Sequence, residues 1–116
     1  MEAKTFFEKI SEETGIRQTR AFWNESELGK KPNEYSTWRL NAPSADVLSE
    51  DGEEVLSFSY RVSVFTKQKD SLQGLCEFLS EAAFQNGASA SHMVFEDYEK
   101  DTGYAHGEIN IEIILT

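Results

Sequence analysis

Few residues in this chain have the types to do chemistry: one cysteine, two histidines and the carboxylates near them. Cys76 falls on the apolar side of a helical pattern, which predicts an inert core thiol. A nucleophile would need an electropositive, partly open site. His92 and His106 flank two predicted strands joined by a short turn. A three-residue loop closing on Gly103 would set Lys100 against Tyr104, His92 against Glu112 and His106 against Tyr98. The two imidazoles would then stand about six residues apart along the ladder, roughly 20 Å, too far to share a metal. The same register puts Glu96 opposite Glu108, near His106, on an exposed face. Like charges facing across a ladder are mildly destabilising, so a cation or a basic partner would give the patch a purpose. Solvated carboxylates need none, and no metal or cofactor is expected. There is no glycine-rich phosphate loop, dinucleotide fingerprint or paired-cysteine zinc spacing. The expectation is a non-catalytic protein.

The elements that must position these groups are legible from periodicity. Lys4 to Thr14 places Phe6, Phe7, Ile10 and Thr14 on one side at helical spacing, with Gly15 as the stop. Two modest strands follow, Thr19–Trp23 and Tyr35–Leu40, linked through Gly29 and Pro32. Asn41 to Glu54 holds Pro43, Gly52 and five acidic residues, and reads as a flexible acidic loop. Leu56, Phe58, Tyr60, Val62 and Val64 alternate with Ser57, Ser59, Arg61 and Ser63, which predicts the central strand with one buried face. Asp70 is placed to cap a helix reaching Asn86-Gly87, with Leu72, Leu75, Cys76, Leu79, Ala82 and Ala83 as its stripe. Phe78 and Phe84 lie outside that stripe. Two closing strands, Met93–Tyr98 and Glu108–Leu115, form a hairpin. In the three-residue register Phe95 faces Ile109 and Met93 faces Ile111. A four-residue loop would set Phe95 against Glu108 instead.

These elements predict one α+β domain over residues 1–116. Its sheet would be mostly antiparallel, of about four to five strands, with two helices packed on it. Eleven basic residues against 21 acidic ones give a net charge of −10. That balance argues against stable nucleic-acid binding, which needs Lys and Arg to displace counterions. It suits solubility, a basic protein partner, or a surface that DNA must pass without adhering. A lone cysteine excludes an internal disulfide and suits a reducing compartment. No apolar run approaches the ~20 residues of a membrane span, and the N-terminus does not resemble a signal peptide. Trp23, Trp38, Tyr35 and Tyr98 lie on elements of weak periodicity, where any that escape the core would serve as interface anchors.

One stretch, Phe58-Ser59-Tyr60-Arg61-Val62-Ser63-Val64-Phe65-Thr66-Lys67, resembles a strand of the small tail-terminator and tail-completion proteins of long-tailed bacteriophages and Gram-positive prophages. That strand reads tyrosine-x-valine-x-φ-tryptophan or phenylalanine-serine/threonine-lysine. Phe95 to His106 resembles the same family's acidic, aromatic strand, which turns through aspartate or glutamate-threonine-glycine-φ-x-histidine. The opening helix and Trp38-Arg39-Leu40 also fit, whereas Gln18 to Pro32 matches no family pattern. The resemblance implies a virion structural protein that forms a ring, commonly hexameric, at the head-proximal end of the tail and joins tail to head. Its partners would be other copies of itself, the tail tube and the head connector. It would sit in the host cytoplasm during assembly and in the tail or neck of the virion afterwards. Candidate subunit or partner contacts are Trp23, Trp38, Asp46, Leu48, Asp51, Glu53, Tyr98 and His106. The alternative is an acidic immunity or antidote protein that masks a basic toxin or nuclease; size and net charge suit it equally.

Overall fold

A computed structural model describes residues 3–48 and 54–115, with side chains described over 3–41, 58–88 and 96–113. Five strands form one sheet in the order β1-β2-β3-β5-β4: β1 Gln18–Arg20, β2 Glu34–Leu48, β3 Glu54–Thr66, β4 Ala88–Tyr98 and β5 Ala105–Leu115. Neighbours are antiparallel except β1 and β2. Helices α1, Ala3–Thr14, and α3, Leu72–Gln85, cover one face, and a one-turn helix α2, Glu25–Leu28, lies between β1 and β2. The fold is α+β with a mostly antiparallel sheet.

The helices form where the spacing of apolar residues lets them seal that face. α1 buries Phe6, Phe7 and Ile10. Gly15 at φ 73° ends it with its N–H on the Ser11 carbonyl, a left-handed stop that any side chain would strain. α3 buries Leu72, Leu75, Cys76, Leu79 and Ala83. Its start differs from expectation. Asp70 sits inside a 3-10 turn, Lys69–Ser71, and the N-cap is Ser71, without a side-chain cap bond. Opposite the helices, Tyr60, Val62 and Val64 of β3 and Ile109, Ile111 and Ile113 of β5 complete the core. The Phe7 ring stacks on Trp38 at 4.5 Å and meets Tyr60 edge-on at 5.7 Å. Trp38 is 7% exposed and belongs to this core.

Three expectations need correction. The stretch read as an acidic loop is largely strand. β2 runs on to Leu48, and Pro43, Ser44, Val47 and Leu48 pair with Phe58, Ser57, Val55 and Glu54 of β3. Pro43, a weak β former, is held there by its place opposite Phe58, and Asp46 falls within the second of two register shifts, between Leu40 and Ala42 and between Ser44 and Val47. Residues 49–53 of that loop lie outside the described residues. The first strand ends at Arg20, before Phe22 and Trp23, because Ala21 turns the chain at φ 67°.

The closing hairpin takes the other register. Glu99 N–H bonds to Tyr104 and Gly103 N–H to Glu99, which closes a four-residue loop over Lys100–Gly103. Phe95 therefore faces Glu108, Glu96 faces Gly107, Asp97 faces His106 and Tyr98 faces Ala105. A register shift between Met93 and Phe95 then restores the apolar phase, so Met93 meets Ile109 and His92 meets Asn110. The bulge reconciles turn and hydrophobic pattern by a route that periodicity alone does not reveal.

Candidate contact surfaces

The face of the sheet away from the helices carries one dense aromatic group. Alternation puts Tyr35, Phe65, Lys67, Tyr104 and His106 on that side. The Phe65 ring stacks between Tyr35, at 4.7 Å and 11°, and His106, at 4.5 Å and 12°. Tyr104 meets Tyr35 edge-on at 5.5 Å, and Trp23 leans on Tyr35 at 5.3 Å. The polar rims are tied down as well. Tyr104 Oη donates to the Pro32 carbonyl at 2.6 Å, and Trp23 Nε1 donates to Gly29 at 2.8 Å. Lys67 lies over the Tyr104 ring at 4.1 Å and donates to the Thr102 carbonyl. Burial, with Tyr104 and Glu99 beside it, pushes the Tyr35 hydroxyl up to about 12. Of the expected contacts, Trp23 and His106 thus take part in packing inside the chain. The sequence carried one signal of this group: Phe65 stands in the polar phase of an otherwise alternating strand.

Farther along that face the surface is polar. Arg39 and Arg61 are cross-strand neighbours, and Arg61 Nη1 reaches Glu108 Oε2 at 3.2 Å. His106 Nε2 lies 3.9 Å from Glu108 Oε1. The expected Glu96–Glu108–His106 patch does not form. Glu96, opposite Gly107, falls on the helix side, where its carboxylate lies close enough to act on Cys76. Burial first, then Glu96 and Glu77, raise the Cys76 thiol to about 11, so the thiolate a nucleophile requires is disfavoured. Among the described residues no group of three or more His, Cys, Asp or Glu could hold a metal, and no helix is long and apolar enough to cross a membrane.

The two sheet edges differ. β1 is three residues long, and the groups that pair with β2 belong to Arg17, Thr19 and Ala21. Its outward groups are partly satisfied at home. Gln18 N–H donates to Ser11 Oγ at 2.8 Å, and the Arg20 carbonyl accepts from Phe22 N–H at 2.8 Å. That last bond makes a γ-turn about Ala21, a strained geometry for a residue with a Cβ. It leaves Phe22 65% exposed. β4, at the other edge, is eleven residues long and has no strand on its outer side among the described residues. Tyr98 at its end is exposed, with the Lys69 ammonium 5.4 Å from its ring. Asp46 and Leu48 lie on β2 by backbone, and Asp51 and Glu53 lie outside the described residues.

Beside β1, α1 and α2 border a groove of about 720 Å³. Phe7, Trp38 and Leu28 give it apolar lining; Arg17, Arg20 and Lys4 are among its polar walls, with Glu8 and Glu12. Arg20 lies over the Trp38 ring at 5.6 Å. Nothing in the sequence pattern indicated this groove, because its walls come from a three-residue strand and an irregular connection. No protein-family model matches the chain, and no curated protein matches it significantly.

Proposed function

We propose that the chain is a structural component that closes a long phage tail, a terminator or completion protein that acts as a ring at the head-proximal end and joins tail to head. One observation carries this reading. The two stretches that resemble the family, Phe58–Lys67 and Phe95–His106, are far apart in sequence yet form one built unit. Phe65 pairs with and stacks on His106, Thr66 pairs with Ala105, and Lys67 reaches across to Thr102 and Tyr104. Motif residues thus join the turn end of the closing hairpin to the central strand, which supports treating the resemblance as shared architecture. The exposed Phe22, Phe78, Phe84 and Tyr98 supply contact surface of the kind an assembling subunit needs. A net charge of −10 suits a ring through which DNA passes.

Deleting the gene from its phage or prophage tests the reading by electron microscopy of the lysate. Filled heads without joined tails, with tails of irregular length, are expected. Normal infectious particles would overturn the assignment and favour an acidic antidote that acts on a basic protein.

A further inference from the structure

Charge is not spread evenly through this molecule. Residues 1–39 hold seven basic and seven acidic side chains, and residues 40–116 hold four and fourteen, so the whole net charge of −10 falls on the second stretch. Strand order turns this asymmetry in sequence into one in space. α1 and β1 stand at one end of the sheet, and β4 and α3 at the other. Lys4, Lys9, Arg17 and Arg20 belong to the first end, alongside Glu8, Glu12 and Glu13 of α1; Glu77, Glu81, Glu96 and Asp97 belong to the second, with Lys69 over Tyr98.

Each end also carries an apolar feature inside its charges. At the first it is the groove lined by Phe7, Trp38 and Leu28. Lys4 pairs with Glu8 at 3.8 Å, which leaves Arg17 and Arg20 against Glu12 on the walls. At the second it is Phe84, 62% exposed on α3. At about 100° per residue, Phe84 lies near Glu77 and Glu81 on the helix surface, while Phe78 lies about 120° away. The flank near Asn86 faces α1, since Asn86 Nδ2 donates to Glu13 Oε2 at 2.7 Å. Phe84, two residues before Asn86, lies about 160° from it around α3 and so points away from α1. Phe84 therefore sits on the outer, acidic side of the molecule.

Direct strand pairing between copies is a poor way to join these ends, because Ser11 and Phe22 already occupy outward groups of β1. We propose instead that a second copy docks head to tail through side chains. Phe84 of one copy enters the groove over Trp38 and Leu28 of the next, with Glu77 and Glu81 against Arg17 and Arg20. Such a contact joins two different patches and so can close a ring. The proposal rests on the tail-closing reading only for its biological setting.

The test uses the full-length chain in sedimentation velocity at low ionic strength and up to millimolar concentration. The wild type is expected to associate, and added salt to reverse it. Arg17→Glu with Arg20→Glu, and separately Glu77→Lys with Glu81→Lys, should each weaken association by about tenfold or more. Mixing the two double variants should restore it, because every junction is then complementary. Phe84→Ser, on an exposed site that leaves the core intact, should weaken it at any salt. Circular dichroism verifies that each variant is folded. A wild type that stays monomeric throughout, reversals without effect, or a mixture that fails to recover would each overturn the contact. None of those results bears on tail closure, which the deletion phenotype decides separately.

Discussion

The two faces of β3 are built from the same thirteen residues and held by different physics. On the helix side, Tyr60, Val62 and Val64 are buried under α1 and α3, and their contribution is apolar area removed from water. On the other side, Phe65 is held by ring stacking and by hydrogen bonds at the rims of its neighbours, and Arg61 by an ion pair. The first face tolerates no charge. The second tolerates polarity but depends on geometry, and its energy lies in a few specific contacts.

The sharpest way to break this contrast is a charge on the helix side. Val62 is 1% exposed between the core residues of β2 and β5. Val62→Ala should cost about 1–3 kcal/mol from lost burial and the cavity left behind. Val62→Asp buries a carboxylate with no partner and should cost more than about 4 kcal/mol, enough to abolish cooperative unfolding in urea. A folded Val62→Asp variant would mean that the helix-covered face is not the core.

A smaller effect is expected on the aromatic face, and pH reveals it. Burial holds the Tyr35 hydroxyl up at about 12 in the fold, above the ordinary tyrosine value of about 10. The neutral form is favoured by folding, so this contribution is fully present below pH 10 and is lost as pH rises towards 12. At about 1.4 kcal/mol per unit, the loss is on the order of 2 kcal/mol. Tyr35→Phe should flatten the stability profile between pH 10 and 12 relative to the wild type, read from urea midpoints. An unchanged alkaline slope in the variant would show that the hydroxyl is not shielded by the stack.

The same contrast explains how much of the molecule the sequence reveals. The helix side of β3 and the stripes of α1 and α3 were legible because burial imposes a period on many residues at once. Other features obey local conditions that leave no period. The end of β2, with Pro43 and Asp46, is a strand because β3 pairs with it, and its own composition suggests a loop. Turn length and bulge compensate in β4–β5, so a pattern satisfied by one register was equally well satisfied by another. The γ-turn at Ala21 has no residue signature, since glycine would be the ordinary choice at that φ. For the same reason the groove beside β1 was invisible. The aromatic group was half legible: Trp23, Tyr35 and His106 stood out as candidate contacts, and Phe65 broke the alternation, but only the fold joins them.

The smallest effect sharpens the contrast within the open face itself. Arg61 and Glu108 pair at 3.2 Å, with side chains 38% and 16% exposed, beside Arg39. An ion pair in partial contact with water contributes about 1 kcal/mol or less, because solvent and salt screen it. Removing Glu108 also leaves Arg61 facing Arg39 without its counter-charge, so the two partners are not equivalent. Arg61→Met should change stability by less than about 0.5 kcal/mol, since the like-charge contact disappears together with the pair. Glu108→Gln should be the more costly of the two, at roughly 0.5–1 kcal/mol, and high salt should shrink its cost. The double variant closes a cycle in which the pair's coupling is read directly. Should Arg61→Met prove the more damaging, the guanidinium would be holding the sheet face through its packing as well as its charge, and the open face would resemble the helix side more than the contrast allows.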